Sequence, residues 1–132
     1  MLPLPESALN MQQEKFSIRS RIMSFTHAFR GIRQFVWHEH NARIHLIATI
    51  AVIIAALVCR VNTSEAAILT IVTGLVWVTE IINTAVERLS DHITKERHPE
   101  IKIIKDLAAG AVLVAAIIAV IVGSFIFIPK II

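Results

Sequence analysis

The sequence predicts an all-α membrane protein: an N-terminal amphipathic surface helix followed by three transmembrane helices. Two observations carry this prediction. Hydrophobic residues make up 55% of the 132-residue chain and charged residues only 17%, below the roughly 25% of ordinary soluble domains. The apolar residues are also gathered into three long runs with the charges between them, whereas the helices of a soluble core each keep a wet face.

Residues 1–17 are polar and mixed in charge. Pro3 and Pro5 suggest a flexible start, and the basic-then-apolar pattern of a signal peptide is lacking. Residues 18–132 form one domain. From Ile18 to Trp37, the residues Ile18, Ile22, Phe25, Phe29, Ile32 and Val36 recur at helical spacing. Arg19, Arg30 and Arg33 lie largely off that stripe, which suits a helix in the membrane interface.

The first span is expected at about 44–59, bracketed by Arg43 and Arg60, which can snorkel to extend its reach. Asn62, Thr63 and Ser64 offer turn and cap residues. The second span is expected at about 66–86. A polar link over 90–106 follows, with a break at His98-Pro99. The third span is expected at about 107–128 and ends at Pro129. Ala111, Ala115, Ala119 and Gly123 recur on it every fourth residue, a small-residue stripe that lets helices approach closely in lipid.

Lys and Arg are distributed unevenly. Residues 1–43 and the link between the second and third spans hold eleven of the thirteen, leaving Arg60 and Lys130. The positive-inside rule then places the N-terminus in the cytoplasm and the C-terminus outside, in a multi-pass inner-membrane topology. The net charge of +3 is read as attraction to anionic lipid rather than nucleic-acid binding, because the basic residues flank apolar runs. Cys59 has no cysteine partner in the chain.

Glu80 is the strongest functional signal. A carboxyl group in a spanning helix costs roughly 2.5–3.5 kcal/mol on insertion scales. Asn83, Glu87 and Asp91 follow within about 80° of it around the helix. Three carboxyls on one face repel unless a cation sits among them or some hold protons. Mg²⁺ suits such a face, because it takes oxygen ligands and shares them with substrate phosphates. A plain polar stripe for helix–helix hydrogen bonding is the competing reading. Glu39, just before the first span, and Lys105-Asp106, just before the third, converge on the same boundary. Carboxylates for metal with Lys and Arg for phosphate are the parts of phosphoryl transfer. No phosphate loop or protein-kinase motif is present, and the spacing of His38, His40 and His45 does not suit a zinc site. A small proton- or cation-coupled transporter, or an assembly subunit built on the Ala-Gly stripe, are the alternatives.

The run Glu80-Ile81-Ile82-Asn83-Thr84-Ala85-Val86-Glu87 resembles the signature of the small prokaryotic diacylglycerol kinase family, which includes the undecaprenol kinases of Gram-positive bacteria. Lys105-Asp106-Leu107-Ala108-Ala109-Gly110-Ala111-Val112-Leu113 resembles its second block, and the resemblance covers about residues 18–128. It implies a homotrimer with active sites shared between subunits, and ATP and Mg²⁺ as cofactors. Phosphate would pass directly to the hydroxyl of a lipid alcohol, undecaprenol or diacylglycerol. It further implies Glu80 as general base, Asn83 as its orienting partner, and Glu39 and Glu87 as metal-holding residues. Lys105 would neutralise phosphate charge, with Asp106 and Asp91 at the nucleotide end. His45 stands where the enterobacterial pattern is acidic, and Asn41 to Leu46 is closer to the undecaprenol kinase branch. His38 and His40 beside Glu39 leave the nucleotide preference open.

Overall fold

The computed structural model describes residues 17–94, 96 and 98–132. The expectations for residues 1–16, and the contributions of Lys15, Lys95 and Arg97 to the charge count, lie outside the described residues. All regular structure among them is helical: α1 Ile18–His38, α2 His40–Val58, α3 Thr63–Ile93 and α4 Pro99–Ile131. The last three are long and apolar enough to cross a membrane. The protein is an all-α, multi-pass membrane protein.

The chain divides into two compact units at Gln34 and Phe35. In the first, helix α1 runs through residue 34 with Ile18, Ile22, Phe25, Phe29 and Ile32 all exposed. Ser24 and Thr26 turn their hydroxyls back to the carbonyls of Ser20 and Ile22, so neither offers a donor to anything beyond the helix.

In the second unit, the last residues of α1 lead to Glu39, whose extended backbone (φ −94°, ψ 128°) separates α1 from α2. At 19 residues α2 spans about 28 Å, close to the thickness of a bilayer core. It ends in a Schellman turn, in which the Val61 amide donates to Ala56 and the Arg60 amide to Leu57. Arg60 takes the left-handed position (φ 50°) that glycine usually fills. Asn62 then caps α3: its side chain accepts from the Glu65 amide, and the Glu65 carboxylate accepts from the Asn62 amide. That capping box satisfies two amide donors at the helix start.

Helices α3 and α4 pack along their length, whereas α2 touches α3 more sparingly. Only Ala42 is buried on α2, while Ile44, Ile47, Ile53 and Leu57 are exposed. Such an apolar surface belongs in lipid or against protein. On α4, Ala115 is 2% exposed and Ala119 and Gly123 are half-buried. Part of the small-residue stripe is therefore used within one chain, while Ala111 is exposed.

Two boundaries differ from expectation. The link between the last two spans is only 94–98, because Pro99 occupies the first turn of α4 and needs no amide partner there. Both helices run on past the apolar segments, so hydropathy alone placed their ends too far into the membrane. The third span does not stop at Pro129; α4 continues through it to Ile131, since a single lost hydrogen bond in the final turn leaves the bonds around it intact.

The α3–α4 pair is pinned near both ends. Lys105 bonds Asp91 at 2.9 Å, and Lys130 bonds Glu65 at 3.0 Å. The pairs stand 26 residues apart on α3 and 25 on α4, about 39 and about 38 Å.

Two outcomes follow from this packing. Ala42→Leu introduces a large side chain where none is exposed, and should lower stability by about 1–3 kcal/mol, read as a lower thermal midpoint in detergent. Asn62→Ala removes the cap and should cost about 1 kcal/mol; a midpoint equal to that of the parent protein would mean that the cap contributes nothing.

Candidate active site

Helix α3 carries the polar face foreseen from the sequence, and burial falls off along it. Glu80 is 2% exposed and Asn83 4%, Glu87 is half-buried, and the Asp91 side chain is 70% exposed. Glu80 and Asn83 therefore sit in the packed part of the bundle and Asp91 at its open end. The Asn83 amide donates to Glu87 Oε1 at 3.3 Å. Glu80 Oε1 and Asn83 Oδ1 are buried and have no hydrogen-bond partner among the described residues. Two acceptors in a desolvated setting favour an incoming donor, and a hydroxyl group would supply one.

Three contacts of α2 with α3 succeed one another along the antiparallel pair. Trp77 Nε1 donates to Thr49 Oγ1 at 2.9 Å. His45 Nε2 stands 3.8 Å from Glu80 Oε2. Arg88 then donates to Glu39 Oε1 through Nε at 3.1 Å and Nη2 at 2.6 Å. Trp77 and Glu80 are three apart on α3, and His45 and Thr49 four apart on α2, so each pair shares one face. The Phe35 ring meets Trp77 edge-on at 6.1 Å, which fixes the indole that grips Thr49.

The break at Glu39 is part of this arrangement. Its carboxylate makes no cap bond to α2 and is taken by Arg88 instead. Arg43 reaches back to the Trp37 carbonyl at 2.6 Å, which supports the bend between the helices.

At the α3–α4 end, Lys105 donates to Asp91 Oδ1, and Glu87 adds a second negative charge within Coulombic reach of the ammonium. Lys102 pairs with Asp106 one turn along α4. Asp91, Lys102, Lys105 and Asp106 line a cavity of about 880 Å³ together with Thr94 and His98. It carries both charges and is of the size of small-molecule sites.

The predicted residues thus fall into two groups within one chain. Glu80, Asn83 and Glu87 form one continuous file. Asp91, Lys105 and Asp106 line the cavity, eleven residues beyond Glu80 or about 16 Å of helix. Glu39 is bound by Arg88, which follows Glu87 in sequence, and belongs to neither group. Among the described residues no three His, Cys, Asp or Glu side chains are gathered to hold a metal ion. Mg²⁺ bound with a nucleotide, however, needs only one or two carboxylates beside the phosphates. Sequence reasoning passed over Arg88, His45, Thr49 and Trp77 as site residues. A histidine and a threonine four apart in an apolar run were the available signal.

Residues 26–127 match the family described as prokaryotic diacylglycerol kinase. The chain is 41% identical over 107 residues to an undecaprenol kinase of Bacillus subtilis, covering 81% of this chain and 87% of that one. It is 39% identical over 109 residues to a diacylglycerol kinase of Synechocystis, covering 82% of this chain and 62% of that protein. Those matches take in every residue of the polar file and of the cavity. The chain is a membrane lipid kinase and belongs to the prokaryotic diacylglycerol kinase family.

Proposed function

We propose that this protein transfers the terminal phosphoryl group of ATP directly to the hydroxyl of a lipid alcohol at the cytoplasmic face of the inner membrane, with Glu80 as general base. The observation that carries this reading is the burial of Glu80 at the head of a polar file whose other end opens beside a charged cavity. A lipid alcohol keeps its chains in the bilayer and its hydroxyl at the boundary, so it meets the file from the membrane side. A nucleotide comes from water and meets it from the cavity side.

Each residue has a role in this scheme. The unpartnered Glu80 Oε1 accepts the hydroxyl proton, and Asn83 holds the substrate through its free Oδ1. Lys105 neutralises phosphate charge, and Asp91 and Asp106 position the nucleotide end. Glu87 and Glu39 are the residues that would hold Mg²⁺, which when bound offsets the negative charge of the phosphates. Glu39 becomes available once Arg88 turns to a phosphate, for which its guanidinium is equally suited. General-base help contributes about 10²–10⁴-fold, and positioning supplies much of the rest.

The separation of Glu80 from the cavity in one chain is compatible with sites shared between subunits, and the family resemblance implies that the assembly is a homotrimer. The exposed apolar faces of α2 are compatible with such assembly. Undecaprenol is the favoured acceptor, given the relative named for it and the Asn41–Leu46 segment. The N-terminus would lie in the cytoplasm and the C-terminus outside.

The direct test offers radiolabelled ATP with undecaprenol and diacylglycerol side by side. Label should enter the undecaprenol product faster, and incorporation into neither lipid would overturn the assignment. Glu80→Gln should lose at least about 10²-fold in kcat while keeping nucleotide binding. Glu87→Gln should raise the Mg²⁺ concentration needed for half-maximal rate, whereas an unchanged metal dependence would remove Glu87 from metal binding.

A further inference from the structure

His45 has no part in the scheme so far, yet its imidazole is the group nearest the buried carboxylate. Its Nε2 lies 3.8 Å from Glu80 Oε2, and it is the only cation-forming side chain within 4 Å of Glu80 among the described residues. The other candidates are committed elsewhere: Arg88 to Glu39, Lys105 to Asp91 and Lys102 to Asp106. Glu80 is 2% exposed, whereas the His45 side chain is 20% exposed. The imidazole is therefore the more accessible of the two groups.

The backbone that carries it is tied to α3. Thr49 Oγ1 donates to the His45 carbonyl at 2.7 Å and accepts from Trp77 Nε1 at 2.9 Å. Trp77 lies three residues before Glu80 on α3. The turn of α2 that carries His45 is thus tied to the turn of α3 that carries Glu80, one rung away from their own contact. The register of α2 against α3 therefore keeps His45 beside a carboxylate whose Oε1 has no hydrogen-bond partner among the described residues.

We propose that His45 is the positioning residue of the base: it holds the Glu80 carboxylate in place and passes on the proton that Glu80 collects. This inference rests on the reading of Glu80 as general base. The lipid O–H bond breaks and its proton goes to Glu80. The alcohol oxygen forms the new bond to the terminal phosphorus. The bond from that phosphorus to the bridging oxygen breaks, and its electron pair leaves with the nucleoside diphosphate. The protonated Glu80 carboxyl then turns to bring its proton to Nε2 of the neutral imidazole, closing the 3.8 Å gap between them, and the imidazolium loses a proton to water. Glu80 returns to the carboxylate without having to be solvated itself, since a carboxylate buried without a partner is costly.

The test uses the full-length protein in lipid-containing micelles with Mg·ATP and undecaprenol. His45→Gln retains a donor amide but cannot relay a proton. It should lower kcat by about 10²-fold and leave KM for ATP within about twofold. His45→Ala should recover at least about tenfold in rate on addition of free imidazole, on the same scale of proton-transfer help. The double variant His45→Ala with Glu80→Gln should show no recovery. A His45→Gln enzyme with parental kcat overturns the proposal, as does a folded His45→Ala enzyme deaf to imidazole. If Glu80→Gln is inactive while His45→Gln is normal, the base stands and the relay falls. If Glu80→Gln itself turns over normally, the base reading falls first.

Discussion

A single desolvated carboxylate governs this molecule. Glu80 lies inside a helix apolar enough to cross a membrane, with one oxygen unpartnered and the other facing an imidazole. Burying such a group costs several kcal/mol unless something compensates. Asn83 and Thr84, about one turn further along its own helix, are buried as well. The least secure helix of the bundle, α2, is attached to α3 through contacts on either side of that carboxylate. The part of the fold that is hardest to stabilise is thus also the part that joins α2 to the rest.

Farther along, charge is handled differently. Glu39, Asp91 and Asp106 are each matched with a cation, and all three pairs are at least partly exposed. Exposed pairs are weak, typically within about 0–1 kcal/mol. They are therefore easily exchanged for stronger bonds to phosphate or metal. The buried end of the polar file is preorganised and the open end is adaptable. That division suits a lipid kinase, which receives one substrate from hydrocarbon and the other from water.

The helices and the polar face of α3 were legible in the sequence because both follow from period and hydropathy. Glu80, Asn83, Glu87 and Asp91 share a face by helix geometry alone, whatever packs against it. Cross-helix partners were not legible. Arg88 was read among the basic residues beside the polar face, and its grip on Glu39 depends on how α2 is rotated against α3. The break at Glu39 carries no Gly or Pro to announce it. His45 was set aside as a zinc ligand and noted only as standing where the enterobacterial pattern is acidic, and the partner that gives it meaning lies 35 residues away in sequence. The start of α4 at Pro99 was missed for another reason: a helix that continues into water leaves no mark in hydropathy.

The two ion pairs that close the α3–α4 hairpin set a length. They stand about 38 Å apart along the helices, near the 40–45 Å of a bilayer with its headgroup layers. The long packing of α3 against α4, more than these pairs, resists sliding of one helix past the other. A bilayer thinner than this span is then met by tilting of the two helices together, rather than by shear between them. Because Glu80 rides on one of these helices, membrane thickness sets the depth at which its carboxylate waits for an alcohol.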